Sequence, residues 1–262
     1  MNVLKAGARA FLHLFGLPAA LLALWWFFAA RSDSFYYPTL NEILSAFGET
    51  WFSSRIVDDV LPSLWRLAVG YLGAVVLGVT LGVLLGSHRQ LRALLEPVLE
   101  FFRAIPPPVL IPVLMLFSGI GDSMKITVII VGSVWPVMLN TVEGVRAIDD
   151  VLADTARCYG ITGAARLRRL VLPAASPQIV AGMRQALSIS IILMVISEMF
   201  ASSSGLGFAI VQFQRSFAIP EMWSGILLLG LLGFALSLLF GLLESRVLHW
   251  HRGLRQSQKG EK

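Results

Sequence analysis

Apolar residues run in long stretches along this chain, at 12–30, 65–87, 94–118, 126–145, 179–200 and 223–243. Each is near the length of roughly 20 residues that a helix needs to cross the hydrocarbon of a bilayer. They predict an all-α membrane protein with about six transmembrane helices, organised as one membrane domain over 1–262. Between the first two runs, 38–47 reads as a surface helix with Thr39 and Glu42 spaced for a capping box and Ile43, Leu44 and Phe47 on one face. Such a helix is expected to lie along the outer interface.

The second run carries Gly70, Gly73, Ala74, Gly78, Gly82 and Gly86. Small residues let helices approach closely in lipid, where apolar burial drives little association, so a packed bundle is expected. The third run is interrupted by Pro106, Pro107, Pro108 and Pro112. Each proline removes an N–H donor and crowds the preceding turn, which predicts a broken helix. Two readings stay open: a binding or gating element beside a watery cavity, or a structural kink packed within the bundle.

Composition agrees with the membrane class, since 56% of the 262 residues are hydrophobic, 14% are charged and the mean hydropathy is +0.75. The net charge of +5 matters through its placement. With the amino terminus inside, Lys5, Arg9, Arg89, Arg92, Arg146, Arg157, Arg166, Arg168, Arg169, Arg246, Arg252, Arg255, Lys259 and Lys262 fall on the cytoplasmic side. The opposite side keeps Arg31, Arg55, Lys125 and Arg215, with Arg66 near that interface. Both termini are thus expected in the cytoplasm. No aromatic interleaving marks a nucleic-acid surface. The first run lacks a small-residue cleavage pattern at Arg31, Ser32 and Asp33 and is expected to be retained. Cys158, the single cysteine, excludes disulfides within the chain and is expected to pack in a helix.

The segment 154–173, DTARCYGITGAARLRRLVLP, is polar and Arg-rich between apolar runs. Its D-T-A, three residues, Gly160, nine residues, then Leu170-x-Leu172-Pro173 resembles the E-A-A-x3-G-x9-I-x-L-P signature of permease subunits of bacterial ABC importers, with Asp154 for Glu and Thr155 for the first Ala. The plainer reading is an amphipathic loop helix. The resemblance extends over about 38–250 and narrows to the sulfonate, nitrate and taurine branch. It is carried by Ser63-Leu64-Trp65-Arg66 with Gly70, Gly78 to Gly86, Pro97 with Arg103-Ala104-Ile105-Pro106-Pro107, Gly119-Ile120-Gly121-Asp122, Pro136 with Asn140-Thr141, Gly182-Met183-Arg184, and Ser197-Glu198 followed by Gly205-Leu206-Gly207. Phe117-Ser118 and Pro108 depart from that branch.

The resemblance implies a type I importer permease of the inner membrane, with a coupling segment at 151–173. It implies ATP-binding subunits on the cytoplasmic face, a second permease copy and an extracytoplasmic solute-binding protein. Asp154, Thr155, Ala156, Tyr159, Gly160, Ile161, Thr162, Gly163, Arg166 and Pro173 would couple to the ATPase. The chain has no G-x4-G-K-[ST] loop, so ATP and Mg are expected on the partner and no cofactor on this chain. Arg103 and Glu198 are charges inside spans, where insertion costs roughly 2.5 to 3.5 kcal/mol, and so are candidates for function. Arg103 could attract anions or brace a carboxylate; Glu198 could anchor the 205–207 loop, meet the binding protein, or sit at the interface. Pro106, Pro107, Met115, Ser118 and Met199 complete the candidate pathway. No acid/base pair or nucleophile turn points to catalysis. A membrane scaffold or embedded enzyme with a lipid-binding Arg-rich loop is the alternative.

Overall fold

The computed structural model describes residues 34–200 and 202–249, together with 16–17, 20–21, 23–29 and 31. Lys5, Arg9, Arg252, Arg255, Lys259 and Lys262, and with them both termini and parts of the first apolar run, lie outside the described residues. All regular structure among the described residues is helical. We number the helices α1 (Leu40–Trp51), α2 (Leu61–Ser87), α3 (Arg89–Arg103), α4 (Ile111–Ser118), α5 (Asp122–Arg146), α6 (Asp150–Cys158), α7 (Gly163–Arg166), α8 (Leu172–Phe200), α9 (Leu206–Arg215) and α10 (Ile219–Val247). Among the described residues four helical stretches are long and apolar enough to span a membrane, at Ile56–Ser87, Asp122–Arg146, Gly163–Phe200 and Ile219–Val247, and α3 with α4 make a fifth if counted as one bent span.

α2, α5 and α8 form the core of one compact unit, made of 57–208 and 229–249. The small residues of α2 set its register. A Cβ on Gly70, Gly78, Gly82 or Gly86 would lie 2.5–2.7 Å from the Cβ of Ile129, Val137, Thr141 or Val145 respectively. Every pair is 59 positions apart, so α2 and α5 run parallel with one unbroken register. α5 and α8 run antiparallel. Gly144 faces Ala175 and Gln178, Gly182 faces Pro136 and Asn140, and the buried hydroxyls of Ser133 and Ser190 lie 2.7 Å apart. Leu67, Ile111, Met124, Val128, Ile129, Leu193 and Met194 fill the space between these helices.

Because α2 and α5 are parallel, the chain between them must return to the end where α2 began. The bent pair α3 and α4 carries that return. α3 stops at Arg103, a 3-10 turn covers Pro107–Leu110, and α4 restarts with Pro112 in its first turn, the two helices meeting at 82°. The break expected from the proline run is therefore present. Pro107 packs against Gly132, where a Cβ would collide with Leu193. Wider π-helical turns at Ile56–Val60 and Leu167–Val171 each end two residues before a proline, Pro62 and Pro173. A prolyl ring crowds the carbonyl four residues earlier, and a widened turn relieves that clash.

A second compact unit joins the residues up to Ile56 with 209–228. In it α1 has the expected capping box: Glu42 N–H donates to the Thr39 hydroxyl at 3.4 Å, and Thr39 N–H to Glu42 Oε2 at 2.7 Å. Ile43 is buried as expected, whereas Leu44 on the same predicted face is exposed. Trp51 ends the helix fully buried, its indole N–H donating to Ser224 Oγ at 3.0 Å. Gly225 lies beside this ring and is pressed by Ile210, which a Cβ would meet at 2.8 Å.

Candidate functional site

Two polar features stand out, at opposite ends of the α2, α5 and α8 block. The first is α6, the turn after it, and α7. Asp149 caps α6, accepting from Val151 N–H at 2.8 Å and Leu152 N–H at 3.3 Å. The helix closes on Gly160, whose φ is +66°. Gly160 N–H donates to Arg157 O at 3.0 Å and Ile161 N–H to Ala156 O at 2.9 Å, the paired bonds of a Schellman cap. Gly163, with φ +55°, opens α7. Two left-handed positions within four residues make a compact, hydrogen-bonded turn instead of a loose loop.

Of the residues expected to couple, only Ala156 is buried. Ile161 and Arg166 are half-buried, while Asp154, Thr155, Gly160, Thr162, Gly163 and Pro173 are exposed. Tyr159 is 80% exposed, and Val151 and Leu152 beside it are exposed as well. Asp154 and Arg157 pair at 2.8 Å along the open helix face, a contact of a few tenths of a kcal/mol at most. Cys158 does not pack in a helix interface, contrary to expectation. Its position in the last turn points away from Ala156, the residue that α6 buries.

The second feature is a buried network joining the start of α2, the start of α5, the end of α8 and the loop 202–207. Arg66 and Glu198 are only 3% and 1% exposed. Arg66 donates from Nε to Asp122 Oδ1 at 2.7 Å, from NH1 to Glu198 Oε1 at 2.8 Å and Ser204 O at 3.0 Å, and from NH2 to Ser204 Oγ at 2.9 Å. Glu198 Oε2 also accepts from Gly207 N–H at 3.0 Å. Ser63 Oγ lies 2.8 and 2.9 Å from the two Glu198 oxygens and accepts from Leu206 N–H at 2.8 Å. Asp59 accepts from Gly205 N–H at 3.0 Å. Gly205, at φ +118°, presses directly on the Glu198 carboxylate, where any Cβ would collide. A fully satisfied network of this kind fixes one arrangement of the segments it joins.

Glu198 thus anchors the 205–207 loop, one of the alternatives open in the sequence. Arg66 and Lys125 had been counted with the charges near one membrane face. Both are buried, Lys125 within the field of Arg66, Asp122 and Glu198. The signal that could have found Arg66 was its place one turn after Ser63 at the start of a span, with Glu198 the complementary intramembrane charge.

The remaining candidate residues are not brought together with this network. Arg103 ends α3 and pairs with Glu100 at 2.6 Å, both side chains about half exposed. Pro106 is exposed and Pro107 half-buried against Gly132. Met115 packs on the core, Ser118 O accepts from Ser123 Oγ at 3.0 Å, and Met199 is exposed beside buried Glu198. Among the described residues no His, Cys, Asp and Glu grouping suits a metal.

Residues 74–249 match the family described as binding-protein-dependent transport system inner membrane component. The chain belongs to this family. It is a multi-pass permease of the ABC importer class. The taurine transport system permease protein TauC of Escherichia coli is 29% identical over 90% of this chain and 88% of its own length. The bicarbonate transport system permease protein CmpB of Synechococcus elongatus is 32% identical over 68% of this chain and 64% of its own. A chain of the MetNI methionine ABC transporter matches in fold with a TM-score of 0.61 and 24% identity, over 72% of this chain and 94% of that one. The match confirms the all-helical importer permease fold; four or five spans lie among the described residues, and the first predicted run, 12–30, lies partly outside them.

Proposed function

We propose that this chain forms the membrane path of an ATP-driven importer, admitting a small solute delivered by an external binding protein. The hydrolysis belongs to separate ATP-binding subunits docked on the α6–α7 element. The observation that carries this reading is the exposed, rigidly capped turn at Tyr159–Gly163 with Val151, Leu152 and Tyr159 unburied beside it. A subunit without a nucleotide loop must be pushed, and a stiff element with an apolar tip can receive that push. The charge placement supports a cytoplasmic position for it. Relatives named for taurine and bicarbonate support a small solute of the sulfonate, nitrate, bicarbonate, aromatic acid or vitamin-precursor class. A second copy of the chain completes the path along the α3 and α4 faces, where Phe101, Phe102, Leu116 and Phe117 are unburied. Arg103, Pro106, Pro107, Met115, Ser118 and Met199 border that path in this reading.

Gly160→Asp tests the docking claim. The left-handed turn disfavours a Cβ and the tip gains a charge. Membrane insertion should persist while co-purification of the ATPase and uptake are lost. Normal uptake by the inserted variant would remove α6–α7 from the coupling role.

A further inference from the structure

An apolar groove of about 390 Å³ runs between α2, α8 and α10, lined by Leu64, Tyr71, Leu187, Leu236, Phe240 and Leu243 among others. Its only polar side-chain group, the Tyr71 hydroxyl, is already engaged with Met183 O at 3.2 Å. The groove therefore offers hydrogen bonds to nothing, and it lies along three membrane-crossing stretches. Its size falls at the low end of small-molecule sites, whereas a helix with its side chains is roughly 10–12 Å across. A single hydrocarbon chain matches both the chemistry and the volume.

One end of the groove carries a cation. Arg184, one turn before Leu187 on α8, is 57% exposed at its side chain and rests against Gly241 of α10, beside lining residue Phe240. Among the described residues its ion-pair partner is Glu244, at 3.3 Å, and Glu244 Oε2 is buried without a hydrogen bond there. The guanidinium thus retains donors of the planar, forked kind that bind an anionic oxygen pair. We infer that the groove and Arg184 together bind one anionic phospholipid, an acyl chain in the groove and the phosphate on Arg184.

The test uses the complete transporter, purified with its ATP-binding subunits. A photo-reactive residue is placed at Leu239, a lining position, and crosslinked in the membrane. Native mass spectrometry counts lipids retained by the unmodified assembly after delipidation and addition of phosphatidylglycerol or phosphatidylcholine. We expect a lipid adduct at Leu239, preferential retention of phosphatidylglycerol, loss of retention in Ala68→Trp, and loss of the headgroup preference by about tenfold in Arg184→Gln, the effect of one charge-assisted contact. A permease–permease adduct at Leu239, or equal retention of both lipids by the unmodified and Arg184→Gln assemblies, would overturn the assignment.

Discussion

Arg66 NH1 donates to Glu198 Oε1 at 2.8 Å, joining α2 to α8 across 132 positions of sequence in a site with almost no exposure. Neither charge could be placed there alone. Removing one partner of a buried pair leaves an uncompensated charge and costs about 3–5 kcal/mol, while removing both can be nearly neutral. Arg66→Met should therefore lower the thermal unfolding midpoint of the solubilised assembly strongly. Arg66→Met with Glu198→Met should recover part of the loss, though Gly207 N–H then lacks its acceptor. Equal losses in single and double variants would show that the pair is not coupled.

Two glycines with positive φ should respond differently to alanine. At Gly160 a Cβ meets open space, so the cost is the backbone term alone, about 1–2 kcal/mol. At Gly205 the same term adds to collision with the Glu198 carboxylate, for about 2–5 kcal/mol in all. Chemical or thermal unfolding of the two variants checks the order. Gly205→Ala should also loosen the 202–207 loop, seen as faster amide exchange at Leu206 and Gly207.

The register of α2 on α5 gives a third comparison. Gly82→Val forces side-chain atoms into Thr141 and the Met138 carbonyl and should abolish a well-packed assembly. Gly48→Ala in α1 meets nothing within 4 Å and should stabilise by about 0.5–1 kcal/mol. Size-exclusion behaviour and melting separate the two. Destabilisation by Gly48→Ala would mean that this face of α1 is covered in the assembly.

Much of this fold was legible because membrane helices announce themselves by length. The break before Pro107, the Thr39–Glu42 cap and the close approach along Gly70 to Gly86 follow from local chemistry, and the structure has all three. What pattern could not give was which helix those glycines face, since the 59-residue register with α5 depends on how the broken pair returns the chain. The same holds for Arg66 and Lys125. A charge near a span end reads as interfacial until its partner is known, and Glu198 is brought to Arg66 only by antiparallel packing of α8. Gly160 entered the sequence reading through the family signature, and its αL closure of α6 accounts for a glycine there; the exposure of Tyr159 and Cys158 was not legible, since it depends on what covers α6.

The most direct measurement of the importer reading is ATP-driven uptake into sealed vesicles carrying this chain, its ATP-binding subunits and the solute-loaded binding protein, with ATP turnover followed in parallel. The account predicts that this chain alone hydrolyses no ATP, that the loaded binding protein stimulates turnover, and that solute accumulates only when all components are present. ATP turnover indifferent to the binding protein, with no solute entering the vesicles, would contradict it.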